Sequence, residues 1–154
     1  MEQQSTLLQS VTTGVVRFIA RALKWPAWTR KKTADISVGT QGEQRAAAFL
    51  RKLGYRIVRK NYRCRGGEID IIARDGNTLV FVEVKTRVKG GYELPEASVT
   101  GRKKQRLRRA ARHFMRAYHL GDCTFRFDVI GVEHRVDADW QLRHWTNVID
   151  YRKH

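Results

Sequence analysis

Asp70 is followed, after twelve intervening residues, by Glu83-Val84-Lys85. The two segments that carry them, Glu68-Ile69-Asp70-Ile71-Ile72-Ala73 and Thr78-Leu79-Val80-Phe81-Val82-Glu83-Val84-Lys85, are otherwise apolar and read as buried strands. Ionised groups in such a sheet are costly unless they are paired or bind a metal. Two carboxylates held close repel unless a proton or a cation lies between them. Oxygen ligands of this kind suit Mg²⁺, or Mn²⁺ in its place, and neither the ligand types nor the spacing suits zinc. A divalent cation there polarises a phosphodiester and activates water. Lys85, two residues after Glu83, would stand beside that water and the charge developing on the phosphorane oxygens. The competing reading is a buried salt bridge of Lys85 with Glu83 or Asp70 that only fixes the sheet.

Strand parity makes the site a geometric expectation. Side chains alternate across a strand, so Glu68 shares a face with Asp70, and Glu83 with Lys85. Asp75-Gly76-Asn77 between the runs signals a hairpin. A two-residue loop at Gly76-Asn77 pairs Asp70 with Glu83 directly. A loop at Asp75-Gly76 pairs Glu68 with Glu83 and leaves Asp70 diagonal. Either register sets Asp70, Glu83 and Lys85 on one side, with paired Cβ atoms about 4.5–5.5 Å apart.

The flanking elements supply further groups. A helix is expected from Thr40 or Gln41 to Leu53, stopped by Gly54. Ala47 and Leu50 mark its buried stripe, widened by Ala46, Phe49 and Leu53. Glu43 falls on the same inward face, where it could hold a second metal or a metal-bound water. Tyr55 to Arg63 reads as a first strand and Cys64-Arg65-Gly66-Gly67 as a turn. Thr100 is the expected N-cap of a helix from Gly101 to Tyr118, with Leu107, Ala110, Ala111, Phe114 and Tyr118 as its apolar stripe. Seven basic residues with no acid among them crowd its other faces between Lys103 and Arg116. Phosphate contacts would relieve their repulsion, and Lys103, Arg106 and Arg109 are the candidate nucleic-acid-binding residues. Phe125–Val132 and Trp140–Trp145 complete the expected strands, with Asp128 assigned to a structural ion pair. His113, His119, His134 and His144 show no metal-ligand spacing.

The whole composition agrees with a polyanionic partner. Lys and Arg number 31 against 15 acidic residues, a net charge of +16 on 154 residues. This length is a prior for one domain, 38–154, preceded by an amphipathic and basic extension over 1–37. Leu8, Val11, Val15, Phe18 and Ala22 recur there at helical spacing, but Arg17 and Arg21 interrupt the apolar run. No stable membrane insertion is expected, because no stretch reaches the roughly 18 apolar residues of a span. Cys64 and Cys123 lack Cys-x-x-Cys spacing, which argues against zinc and fits a reduced, cytoplasmic compartment.

Gly67-Glu68-Ile69-Asp70 followed by Phe81-Val82-Glu83-Val84-Lys85 resembles the active-site core of the PD-(D/E)xK nuclease superfamily. The likeness is closer still to the YraN-like family of small bacterial proteins, whose motifs recur in order at Gly39–Ala46, Gly67–Ala73, Phe81–Lys85 and Arg126–Val129. Ile69 departs from the proline of the superfamily name, and the first 36 or so residues fall outside the match. The resemblance implies an α/β, restriction-endonuclease-like three-layer core, a mixed sheet flanked by helices, similar to Holliday-junction resolvases. It implies metal binding by Asp70, Glu83 and the Val84 carbonyl, a catalytic Lys85, and Glu43 completing the site. The expected activity is Mg²⁺- or Mn²⁺-dependent cleavage of branched or structured DNA, with a homodimer as a fold-level analogy. Two alternatives stand beside it: a noncatalytic nucleic-acid-binding module of the same fold, and an adaptor whose N-terminal helix docks a partner or membrane.

Overall fold

The computed structural model describes residues 37–87, 100–134 and 140–149. The expected amphipathic helix from Leu8 to Ala22 lies outside these residues, and so does the Gly90-Gly91 pair, where the sequence predicts a loop after the third strand. Helix α1 (Val38–Lys52) is followed by β1 (Arg56–Cys64), β2 (Gly67–Asp75), β3 (Thr78–Arg87), α2 (Gly101–Ala117), β4 (Phe125–Glu133) and β5 (Gln141–Trp145). The strands form one mixed sheet in the order β1-β2-β3-β4-β5. Only β3 and β4 run parallel, and α2 lies in the crossover that such a pair requires.

Alternation of apolar side chains on the central strands divides the core into two layers. Ile72, Phe81, Phe127 and Val129 pack with Leu107, Ala110 and Phe114 of α2. Residues of the opposite parity, Ile71, Val80, Val82, Ile130 and Val132, pack with Ala46, Ala47 and Leu50 of α1. Fully buried side chains of this size contribute roughly 1.5–3 kcal/mol each, enough for the sheet to carry a few buried charges. The result is the three-layer α/β core that the sequence implied.

Local chemistry explains the boundaries. α1 starts two residues earlier than expected because Ser37 caps it: its hydroxyl accepts the Thr40 N–H at 3.3 Å and its carbonyl the Gln41 N–H at 3.0 Å. Leu53 is the C-cap and 52% exposed, so it does not widen the buried stripe. Thr100 caps α2 as expected, accepting the Lys103 N–H at 3.4 Å. Among the described residues no helix is long and apolar enough to cross a membrane.

Candidate functional site

The β2–β3 register runs from Asp75–Thr78 to Ile71–Val82, so Gly76-Asn77 is the hairpin loop. Gly76 takes φ +54°, and Arg74 donates to Asn77 Oδ1 at 2.9 Å across the turn. The ladder stops at Ile71–Val82 although both strands continue. Beyond it, β2 pairs with β1 as far as Gly67, and β3 pairs with β4 as far as Arg87. The two strands therefore fork, and Asp70 and Glu83 stand on its opposite arms. Glu83 faces α2 with Phe81, whereas Asp70 lies between Ile69 of the α2 layer and Ile71 of the α1 layer, and Asp70 and Glu83 do not form a backbone pair. Instead the Asp70 carboxylate takes the place of a ladder partner, accepting the Val84 N–H at Oδ2, 2.7 Å away. A strand residue directs its N–H and C=O to the same side, so Val84 turns its carbonyl toward the fork as well.

Glu83 is 3% exposed. Its Oε1 lies 2.9 Å from Lys85 Nζ and 3.1 Å from Lys103 Nζ. Its Oε2 is buried and has no hydrogen-bond partner among the described residues. Buried polar oxygens are nearly always satisfied, so such an orphan asks for a ligand. Burial, then the Glu83 charge, push the Asp70 carboxyl up to about 6; the Val84 N–H and Lys103 pull against them, and Glu43 adds to them. Burial is thus the first cause of the rise, with charges of both signs acting around it.

Two close approaches assemble the site. At Gly42, on α1, an added Cβ would fall 1.9 Å from Thr86 Oγ1, so only glycine lets α1 reach the end of β3. That contact brings the half-buried Glu43 from the opposite layer near enough for its charge to reach Asp70. On the other face, a Cβ at Gly67 (φ +148°) would meet the Arg106 carbonyl at 2.9 Å. The β1–β2 turn can therefore lie directly against α2, and one turn of helix before Arg106 comes Lys103.

Lys103, expected on a phosphate-binding surface, points instead at Glu83 and is 24% exposed. Sequence reasoning missed this role. The available signal was its place in the first turn of α2, an unfavourable end of a helix for a cation. Arg106 and Arg109 are exposed, Arg109 donating to Gln105 at 3.4 Å.

Asp128 belongs elsewhere. Lying beside Val82, it shares the α1 face and is 1% exposed. Arg126 Nε and the Asn147 N–H donate to Oδ1, each at 3.0 Å, and His144 Nε2 lies 2.9 Å from Oδ2. Arg126 also reaches Asp75 and Tyr55. Burial raises the Asp128 carboxyl, but the His144, Asn147 and Arg126 hydrogen bonds outweigh it and leave it below the usual range. This is the expected structural ion pair, extended into a network. Among the described residues Cys64 and Cys123 form no disulfide, and both are half-buried.

The donor set at the fork fits a hard divalent cation: the orphaned Glu83 oxygen, the Asp70 carboxyl and the Val84 carbonyl. Among the described residues no three His, Cys, Asp or Glu side chains cluster tightly enough to enclose an ion. Magnesium keeps several waters and takes one or two protein carboxylates, the number that this fork offers.

The profile of the Uncharacterised protein family UPF0102 matches residues 42–132, the span from the α1–β3 contact to the end of β4. A UPF0102 protein of Geobacter sulfurreducens is 45% identical over 113 residues, covering 73% of this chain and 88% of the relative. One of Moorella thermoacetica is 48% identical over 104 residues, covering 68% and 82%. One of Caldicellulosiruptor saccharolyticus is 45% identical over 95 residues, covering 62% and 80%.

Proposed function

The chain belongs to family UPF0102, the YraN-like family, and on that premise we propose that it is a metal-dependent DNA endonuclease hydrolysing phosphodiester bonds in branched or structured DNA. The observation that carries this reading is the buried Glu83 Oε2 beside Asp70, without a hydrogen-bond partner among the described residues, at the point where two strands fork. A structural salt bridge needs neither the orphan oxygen nor the second carboxylate.

Asp70, Glu83 and the Val84 carbonyl would hold Mg²⁺ or Mn²⁺, which supplies Lewis-acid polarisation of a phosphate oxygen and a lowered pKa for water. The rest falls to the chain's own groups. Lys85, 36% exposed on its side chain, can turn from Glu83 to charge developing on the phosphate. The Val84 N–H fixes the Asp70 carboxylate, so a reacting group meets it already oriented. Glu43 brings a third carboxyl from α1 toward the same fork. The exposed Arg106 and Arg109 offer charge-assisted contacts to flanking phosphates, in a chain carrying +16 overall. A cytoplasmic location and a homodimer that cuts symmetric junctions in pairs complete the reading.

The test is incubation of the purified protein with Mg²⁺ or Mn²⁺ and labelled branched, flap and single-stranded DNA. Metal-dependent cleavage is expected, falling about a hundredfold or more in Glu83→Ala and Lys85→Ala. Cleavage that persists in both variants contradicts the assignment. Salt-sensitive binding without turnover favours the noncatalytic module.

A further inference from the structure

Lys103 poses a question that the proposed chemistry leaves unanswered. It lies in the first turn of α2, which contains no acidic residue, so the helix itself disfavours a cation there. Among the described residues its ammonium group pairs with Glu83 Oε1, at 3.1 Å. Lys85 already neutralises that oxygen from 2.9 Å. One buried carboxylate thus carries two ammonium groups on one oxygen and, among the described residues, no hydrogen-bond partner on the other. Their combined charge equals that of a divalent cation.

The approach of α2 that makes this contact is a built feature. Gly66 and Gly67 let the helix backbone lie against the β1–β2 turn, where an added Cβ would meet Arg109 Cβ at 3.0 Å or the Arg106 carbonyl at 2.9 Å. The two lysines also differ in origin. Lys85 is fixed to the strand that carries Glu83, whereas Lys103 arrives from a separate element and can withdraw without disturbing the ladder. We propose that Lys103 is a resident counter-ion that competes with the divalent cation for Glu83, lowering the cation affinity of the empty-handed site. This rests on the reading of Asp70 and Glu83 as cation ligands. Lys103 is then a positioning residue, which neutralises Glu83 until a cation displaces it.

Calorimetric titration of the full chain with Mn²⁺ alone tests the competition. Wild type is compared with Lys103→Met and Lys103→Gln, which remove the charge, with Lys103→Arg, which keeps it, and with Lys104→Met, which removes a neighbouring charge from the same turn. A unit charge at this range changes cation affinity of a carboxylate by about tenfold or more. Both neutral Lys103 variants are therefore expected to bind Mn²⁺ about tenfold more tightly. Lys103→Arg should stay near wild type, and Lys104→Met should change affinity by less than about threefold. Unchanged or weaker binding by the neutral variants, with wild type binding normally, overturns the role of Lys103 alone. Equal tightening in Lys104→Met also overturns it, reducing the effect to general charge. No Mn²⁺ binding by any of the five proteins overturns the cation reading on which the proposal rests.

Discussion

Two buried acidic centres lie on adjacent strands of one sheet and face opposite layers. Asp128, toward α1, is saturated: Arg126, His144 and the Asn147 N–H occupy both its oxygens. Glu83, toward α2, keeps one oxygen buried and without a partner among the described residues while two lysines share the other. The two sites also move their carboxyls in opposite directions, Asp128 down and Asp70 up to about 6. Equal burial therefore does not mean equal purpose. A carboxylate that a fold uses for stability has its lone pairs filled by the fold, whereas one held for a ligand has them left over.

Substitution at the two centres should separate stability from function. Asp128→Ala leaves Arg126 and His144 without their shared partner, and a loss of about 3–5 kcal/mol in urea unfolding is expected. Glu83→Gln keeps the shape and frees two partly exposed lysines into water, so a change within about 1 kcal/mol is expected. Equal losses at the two positions would break the comparison.

Asp70 gives a sharper and somewhat smaller contrast, with a pH signature. Its folded carboxyl ionises near pH 6, while in the unfolded chain it does so near the ordinary 3.8. Between these values the folded state holds the extra proton, so stability falls as pH rises through the window, and the full penalty is present above about pH 6. Asn at this position can still accept the Val84 N–H but carries no charge. Asp70→Asn should match wild type at pH 3.5 and exceed it at pH 7 by on the order of 2–3 kcal/mol. A gain independent of pH, or none at pH 7, would show that Asp70 is not held under strain for a ligand.

Much of this contrast could be read from residue order. Period-two alternation sets Glu83 and Lys85 on one face, and Asp75-Gly76-Asn77 locates the hairpin. Strict alternation does not extend past Asp70, whose neighbours Ile69 and Ile71 pack in opposite layers. The choice between two registers was open because both loops offer glycine and turn-forming neighbours, and Arg74 bridging to Asn77 belongs to the Gly76-Asn77 loop that forms. The fork was hidden, since hairpin rules extend a ladder until a strand ends, and here each arm leaves for a different neighbour. Lys103 was misplaced for a related reason. Its composition suggested a solvated basic face, and only the docking of α2 on Gly66 and Gly67 turns it inward. Leu53 failed as a core residue because capping leaves it past the last helical turn. Contacts between distant segments decide the fork and the place of Lys103, and periodicity within one segment cannot report them.

The central claim is that the leftover carboxylate oxygens at the fork are cation ligands. Anomalous diffraction from crystals of the full chain grown with Mn²⁺ tests it most directly. The account expects a manganese peak between Asp70 and Glu83, within bonding distance of Glu83 Oε2 and absent from Glu83→Ala crystals. Diffraction that shows no manganese at the fork, or shows it at Asp128 instead, contradicts it.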